Sequence, residues 1–542
     1  MKNFKPKIFS VMKKYTKEQF VKDVISGIIV AIIALPLSIA FALGAGVSAE
    51  KGIYAAIISS LVGAFLGGSR VQISGPTGAF IVITQSVILS YGLNGLAVAM
   101  IMAGIFLVLL GVFKLGRLIK FIPSPITVGF TAGIGVTIFT LEVKDFLGLS
   151  PETMPTKFLG KWEYYLSHLN EVNWQSVVLA LVCIVILVIW PRFNKKIPNS
   201  LIAIIVGTIV TQLLNLDVKL LGDIPKSLGV PVVPELSFEM IQQLVAPSFT
   251  IAILVAMQAL LSAVVTDGII NSRTNSHMEL IAQGISNIIL GFFGCIPTTG
   301  GVARGVQSAQ NGARTPIAAI VHSVSLFVFL IVLMPFIKLV PLPVLAAILM
   351  VVSYNMLNVN VLIGYLKNPK SDLAVLICSC VLTFAFDLVF AIEVGLIMAA
   401  FLFMKRMSDA TEVQGWRYIN DENDPDSLTL RKVPAHTLVY EVSGPMFFAV
   451  SDKILKITGE ADTKCIIIRM RSVNSIDATA MNSLDQLFEK CKKKGITLIL
   501  SHVNVQPRKL MDNVGFIRKI GKTNMCDNID KALSRAKVIV AE

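Results

Sequence analysis

The chain has 542 residues, of which 54% are hydrophobic and 15% charged, with a formal net charge of +14. Soluble globular chains run at about 45–50% apolar, glycine included, and about 25% charged, so an ordinary soluble enzyme or binding protein is excluded for the chain as a whole. The positive charge invites a nucleic acid or an anionic lipid surface as partner, but its distribution follows the positive-inside rule instead, and no nucleic acid is expected.

Apolar runs long enough to cross a hydrocarbon core, about 17–25 residues, recur from Asp23 to Arg406 and then stop. Residues 1–22 precede them as a basic segment, with Lys2, Lys5, Lys7, Lys13, Lys14, Lys17 and Lys22 against Glu18, which places this end in the cytoplasm. The first run, 24–47, is too long for a cleaved leader, carries Pro36 at its middle and is followed by many more spans, so it is expected to remain. Fourteen spans are predicted, near 24–47, 50–67, 77–92, 94–113, 122–143, 174–191, 198–215, 248–269, 279–295, 301–311, 315–338, 341–356, 372–388 and 389–406. On that count the basic clusters Lys114-Arg117-Lys120, Arg192-Lys195-Lys196 and Lys405-Arg406 share the side of the N-terminal segment. The longer connections 144–173 and 216–247, which carry Asp145, Glu152, Glu163 and Glu171, and Asp217, Asp223, Glu235 and Glu239, fall outside. The expectation is a multi-pass protein of the cell membrane, surrounded by lipid, with both termini cytoplasmic.

Two internal echoes organise these spans. Ile119-Lys120-Phe121-Ile122-Pro123-Ser124-Pro125-Ile126 returns as Ile337-Lys338-Leu339-Val340-Pro341-Leu342-Pro343-Val344, 218 residues later, and Pro76-Thr77-Gly78 returns as Pro297-Thr298-Thr299-Gly300. Two repeats at nearly equal displacement indicate two similar halves. With seven spans each, an odd number, the second half enters from the opposite side, the inverted arrangement of secondary transporters whose sites lie where interrupted helices meet. Chance recurrence of Pro-x-Pro at helix starts is the plainer alternative.

Each echo also interrupts an apolar region. Arg70 to Phe80 reads as extended up to Ser74 and helical after Pro76, and Ile296 to Arg304 repeats the pattern, so each places a helix N-terminus inside the membrane. Irregular backbone is tolerated there only if protein or a water-filled cavity satisfies it. A helix start offers unpaired N–H groups and about half a positive charge. Two facing starts would therefore bind an anion without needing a basic side chain. Gly78, Gly300 and Gly301 allow close approach, and Arg304 adds positive potential. Kinking of packed spans by Gly and Pro is the structural alternative. Gln258, Ser262 and Thr266, at i, i+4 and i+8, share one face of the span 248–269 and either line a cavity or bond between helices. Glu142, Asp387 and Glu393 lie near span ends, where reaching out to water is expected.

The seven cysteines, Cys183, Cys295, Cys378, Cys380, Cys465, Cys491 and Cys526, form no C-x-x-C pair and have no His-rich partner region, so neither a metal nor a disulfide is expected. There is no nucleophile with a plausible base and no Walker-type loop, so neither an enzyme nor an ATP-driven pump is expected, and no cofactor.

The residues Asp23, Pro36-Leu37-Ser38-Ile39-Ala40-Phe41, Gly52-Ile53-Tyr54-Ala55-Ala56, Gly75-Pro76-Thr77-Gly78, Glu279-Leu280-Ile281-Ala282-Gln283-Gly284 and Arg304 together resemble the SulP anion permeases, over essentially the whole chain. That family includes sulfate permeases, bacterial bicarbonate and dicarboxylate transporters, and the animal proteins prestin and pendrin. The resemblance implies a mainly α-helical polytopic fold with a fourteen-span 7+7 inverted repeat, a core that moves against a gate in an elevator-like cycle, and a homodimer. Carried over residue by residue, the anion pocket comprises Leu37 and Phe41 on the first span, Thr77, Gly78 and Ala79 on the third, Gln258 and Ser262 on the eighth, and Gly301, Val302, Ala303 and Arg304 on the tenth. Two departures stand out. Many relatives carry Glu or Asp where this chain has Gln258, which puts coupling to H⁺ or Na⁺ through that position in doubt, and some have a hydroxyl where this chain has Val302.

The domain reading is a basic segment 1–22, a membrane transport domain 23–406, a linker 407–435 and a soluble α/β domain 436–542. Strands are expected at His436–Val442, Cys465–Met470 and Ile496–Leu500, with a helix near Ala478–Lys493. With Gly444-Pro445-Met446-Phe447-Phe448 and Ser475-Ile476-Asp477-Ala478-Thr479-Ala480, this tail resembles the STAS domain usual in SulP proteins, and it has a cytosolic protein as its possible partner. Ala478 stands where the related anti-anti-sigma factors carry a phosphoacceptor serine. The basic run Lys490-Cys491-Lys492-Lys493-Lys494 reads as a solvated helix end. The expected function is secondary transport of small anions, sulfate foremost, with bicarbonate or dicarboxylate as alternatives. A membrane-anchored signalling scaffold acting through the tail is the reading from another class.

Overall fold

The computed structural model describes residues 5–12, 15–116, 123–150, 155, 157–193, 197–222, 230–367, 369–386, 388–409, 411–415, 432–447, 451–457 and 462–541. Arg117, Lys120, Lys195, Lys196, Glu152, Asp223, Asp387, Phe448, the first echo from Ile119 to Ile122 and most of 407–435 lie outside the described residues. The chain divides into two compact units, Met1–Ala399 and Ala400–Glu542.

Fourteen helical segments carry the apolar part of the chain: α1 Lys17–Gly44, α2 Ala49–Leu66, α3 81–91, α4 93–112, α5 Ser124–Leu147, α6 Trp174–Phe193, α7 Asn199–Leu213, α8 Phe238–Ile270, α9 Ser276–Phe292, α10 Val302–Gln310, α11 Ile317–Ile337, α12 Leu342–Leu357, α13 Lys370–Ala385 and α14 Leu388–Asp409. Helices α3 and α4 are continuous but for Gly92, whose φ of 69° and ψ of −174° suit glycine and no bulkier residue. Among the described residues, seven helical elements are long and apolar enough to cross a membrane by themselves. Among the others α7, α9 and α13 have 15, 17 and 16 residues, and α10, with nine residues, is a half-helix that rises only about 13 Å at 1.5 Å per residue. α8 begins at Phe238, ten residues ahead of the predicted 248, because Ser237 caps it by accepting the Met240 N–H at 3.1 Å and Pro247 is carried inside the helix.

The Pro-x-Pro echo marks the same event twice. Pro123 and Pro341 are the N-caps of α5 and α12, each followed by a proline in the first turn. Packing repeats as well. α4 lies along α9 as α11 lies along α2; α4 packs on α8 as α11 packs on α1; α5 packs on α12 and α13 as α12 packs on α5 and α6. Exchanging each helix for the one seven places away converts every pair into its counterpart. The membrane unit is therefore two seven-segment halves, and the odd count inverts the second. Helices α1–α4 pack with α8–α11, and α5–α7 pack with α12 and α13.

Glu142 corrects one expectation. It lies a turn inside α5, which runs on to Leu147, and it is buried with Oε1 facing Gly44, whereas Glu393 is exposed as anticipated.

In the second unit a five-stranded sheet has the order β3 Glu412–Gly415, β4 Thr437–Ser443, β5 Cys465–Ser472, β6 Thr497–Ser501, β7 Met525–Cys526, with β3 antiparallel to β4 and the others parallel. β3 falls within 407–435. Strand β5 is apolar on successive residues because both of its faces are covered. Ile466 and Ile468 pack on Leu484 and Leu487 of helix α15 Ala478–Lys493, while Cys465 and Ile467 pack on Ala532 and Leu533 of helix α16 Ile529–Ala541. Asp477 caps α15, accepting the Ala480 N–H at 2.8 Å, and Lys490, Lys492 and Lys493 fill its last turn.

Candidate functional site

The two interrupted stretches meet. Ser74–Pro76 forms strand β1 and Thr298–Gly300 strand β2, paired antiparallel with Ser74 opposite Gly300, Gly75 opposite Thr299 and Pro76 opposite Thr298. From β1 the chain passes through Thr77 into a single 3₁₀ turn, Gly78–Phe80, and then α3; from β2 it passes through Gly301 into α10. Two helix starts thus leave opposite ends of a ladder roughly 10 Å long at the usual rise of a strand. At α10 the Gly301 N–H is already taken by the Ile73 carbonyl at 3.2 Å, which leaves the amides of Val302, Ala303 and Arg304 as those without an acceptor in their own helix.

A polar stripe on α9 holds this ladder. Glu279 is buried and its carboxylate accepts from the N–H groups of Gly68 (2.9 Å) and Ser69 (3.2 Å) and from the side-chain amides of Gln72 (3.0 Å) and Gln283 (2.9 Å). Gln283 donates to Ser74 Oγ at 2.8 Å, and Asn287 makes a pair of bonds to the backbone of Thr298, both 2.9 Å. Thr299 Oγ1 donates to the Val255 carbonyl on α8 at 2.9 Å. Ser74, Thr298 and Thr299 are thereby tied to neighbouring helices, and backbone polar groups at membrane depth find partners.

The residues singled out from sequence fall into three neighbourhoods. Thr77 Oγ1 donates to Gln258 Oε1 at 3.1 Å, joining the first helix start to α8. Gly78 is bare where a Cβ would stand 3.4 Å from Phe41 of α1, 3.3 Å from Met356 of α12 and 3.5 Å from Ile138 of α5, so this start lies at the border of the two helix groups. Ala79 is buried beside it, and Leu37, half-buried, lies one turn before Phe41. Arg304 is buried, its guanidinium bonded to the Pro76 carbonyl and lying over Gly75 and Gly301, with Nη1 left unpartnered. Ser262 and Thr266 flank Gly305 one residue further, with Ser262 Oγ unpartnered and Thr266 Oγ1 bonded to its own helix. Val302 is half-buried and Ala303 exposed, and neither makes a side-chain polar contact.

Sequence reasoning did not single out Gln72, Asn287 or His322, and cited Glu279 and Gln283 only as part of a pattern. A signal was present: Glu279, Gln283 and Asn287 stand at i, i+4 and i+8, the same spacing that drew attention to Gln258, Ser262 and Thr266. A separate cavity of about 340 Å³ is lined by Thr208 and otherwise by apolar side chains, among them Leu35, Ile39, Ile204 and Leu345.

The family description of the sulfate permease family matches residues 20–379, and that of the STAS domain matches residues 428–532. The chain is 35% identical over 527 residues to YvdB of Bacillus subtilis, a protein provisionally named a sulfate transporter, covering 96% of this chain and 98% of that one. It is 28% identical over 537 residues to the bicarbonate transporter BicA of Synechocystis sp., covering 95% and 94%. It superposes on the murine Slc26a9 anion transporter in its inward-facing state with a TM-score of 0.88 at 20% identity, over 98% of this chain and 94% of that one, a likeness of fold. The transmembrane domain of a cyanobacterial BicA superposes with a TM-score of 0.63 at 27% identity, over 71% of this chain and all but 1% of that domain.

Proposed function

From the premise that this chain belongs to the sulfate permease family and carries its membrane and STAS domains, we propose that it is a secondary transporter of small inorganic anions, sulfate foremost, seated between the starts of α3 and α10. The observation that carries this reading is the β1–β2 ladder, which fixes two helix starts beside one buried, incompletely bonded arginine. Partial positive charge from two sets of backbone amides and one guanidinium attracts an anion in a low-dielectric setting, where each hydrogen bond to charge is strengthened. Leu37, Phe41, Thr77, Gly78, Ala79, Gln258, Ser262, Gly301, Val302, Ala303 and Arg304 surround that position, with Phe41 and Leu37 as an apolar wall, Ser262 as a hydroxyl donor and Thr77 holding the Gln258 amide.

The cycle is elevator-like. Helices α1–α4 and α8–α11 carry both helix starts as one body and slide against the group that contains α5 and α12. Gly78 lies against Ile138 and Met356 of that second group with no side chain of its own, which gives the sliding surface a smooth point beside the anion. The protein works as a homodimer in the cell membrane with both termini in the cytoplasm, and its STAS domain engages a cytosolic protein.

A site of backbone dipoles selects charge and size more than chemical identity, and a relative at 28% identity is named a bicarbonate transporter, so bicarbonate is the second reading. Uptake of labelled sulfate, bicarbonate and fumarate into proteoliposomes under imposed Na⁺ and pH gradients decides. Sulfate uptake supports the proposal, bicarbonate or fumarate uptake alone moves it to the second substrate class, and no uptake of any of them overturns it.

A further inference from the structure

α11 is an apolar helix with a single ionisable side chain, His322. That side chain is fully buried, and neither Nδ1 nor Nε2 has a hydrogen-bond partner. Three residues before it Ala319 packs with Ile73, whose carbonyl accepts the Gly301 N–H at the start of α10, and Arg304 Nη1 on that helix is also without a partner. The neighbouring residue Ser323 bonds the Ile57 carbonyl of α2 at 3.0 Å, which fixes the turn that bears the imidazole. An ionisable group inside a span that is neither paired nor hydrogen-bonded is costly and is a functional candidate on that ground.

α11 packs on α1 and α2. On α1 the charged residues Lys17, Glu18, Lys22 and Asp23 are confined to its first two turns, and Asp23 is engaged by Tyr15, Gln19, Arg314 and Thr315. On α2 the titratable groups are Glu50 and Lys51 at its start, where Ser48 bonds Glu50 and Lys51 bonds the Phe293 carbonyl, and Tyr54 one turn before Ile57. Arg304, itself part of the anion site, is the charged residue of α10, the helix whose start adjoins this turn of α11 through Ile73.

We propose that His322 is the proton-binding group through which anion movement is coupled to a proton gradient, with Arg304 standing between proton and anion. The inference rests on the anion reading above and adds the coupling ion, a role that Gln258 cannot fill because an amide does not titrate. With the site empty, Arg304 opposes a second positive charge on the imidazole. An anion at the helix starts compensates Arg304 and lets the ring accept a proton from the side to which the site is open. By reciprocity the imidazolium strengthens anion binding by the same factor. Proton and anion then cross together and are released together, since loss of either weakens the hold on the other.

The test is transport by purified full-length protein and its H322Q variant in proteoliposomes, using whichever of sulfate, bicarbonate and fumarate exchanges across the membrane at equal pH. Under an inward gradient of one pH unit the wild type is expected to accumulate the anion, up to about tenfold for one proton per anion without a membrane potential. H322Q is expected to exchange the anion at equal pH with a weaker apparent affinity and to lose gradient-driven accumulation. Accumulation by H322Q equal to wild type overturns the proposal and leaves the anion reading intact. If H322Q does not exchange, the wild type decides alone: no response to the pH gradient overturns the proposal. Absence of exchange of all three anions by the wild type removes the anion reading and this proposal with it.

Discussion

Arg304 sits at the centre of the anion proposal, buried, bonded to the Pro76 carbonyl and with one nitrogen open. Arg304→Gln removes the full charge while keeping some reach toward Pro76. It is expected to lower anion uptake by at least about tenfold, since charge-assisted hydrogen bonds contribute roughly 1.5–3 kcal/mol, with a smaller effect on thermal unfolding in detergent. A collapse in unfolding temperature equal to that of Glu279→Gln would instead mark Arg304 as purely structural. Gln258→Glu puts a titratable carboxyl opposite Thr77 Oγ1 at a present separation of 3.1 Å. That variant is expected to add a proton dependence on top of any the wild type has, and an uptake profile unchanged with pH counts against a role for this position. These residues were legible because Gly, Pro and Thr interrupting an apolar stretch have few purposes at membrane depth. His322 was not, because a lone imidazole in an apolar run carries no pattern; only its missing partners and its nearness to the start of α10 set it apart.

At the scale of elements, helix contact along α4 and α9 depends on glycines seven residues apart on both sides. A Cβ at Gly104 would lie 2.5 Å from the Gly284 carbonyl, one at Gly284 2.6 Å from the Gly104 carbonyl, and one at Gly291 2.9 Å from the Ala97 carbonyl. These are backbone atoms, unable to step aside as a side-chain end would. Gly284→Val is therefore expected to destabilise the membrane unit by about 1–3 kcal/mol or more, the cost of overpacking, and to lower its unfolding temperature in detergent. A valine tolerated there without change would mean that the two helices are not in backbone contact. Glu279→Gln acts on the same helix by another route. One carboxylate oxygen accepts two backbone N–H groups, and an amide nitrogen in its place repels both, so stability and uptake are expected to fall together, with no rescue by Gly104 variants. The helices themselves were readable from apolar length and their starts from Pro123 and Pro341. Ladder contacts such as Gln283 to Ser74 join residues some 200 positions apart, and periodicity within one span cannot show which distant span receives its polar face.

At the scale of the whole molecule, the halves and the tail were visible as an internal echo and a change of composition, because inverted repeats reuse helix starts and a soluble α/β unit needs buried parallel strands flanked by amphipathic helices. The second unit has its own core on both faces of its sheet, and its three thiols are part of it: Cys465 and Cys491 are buried, and Cys526 is only 9% exposed. Burial pushes the Cys465 thiol up to about 12 and raises those of Cys491 and Cys526, despite nearby Arg535 and Lys490. Thiolate, the reactive form, is then scarce near pH 8. In the intact protein all three are expected to resist a maleimide reagent at that pH and to react once denaturant opens the unit, with protection lost in one cooperative step if the unit unfolds as a whole. Leu484→Ala, which removes a fully buried side chain from that core, is expected to cost about 2–5 kcal/mol and to expose Cys491 at lower denaturant. The same unit separates transport from signalling. A chain truncated after Asp409 retains both halves and the β1–β2 ladder, and if the anion site belongs to the membrane unit it takes up anion in proteoliposomes, at whatever altered rate. A pure scaffold acting through its tail gives no uptake with or without residues 410–542, so full-length and truncated proteins measured side by side decide between a transporter that carries a regulatory domain and a membrane anchor for that domain.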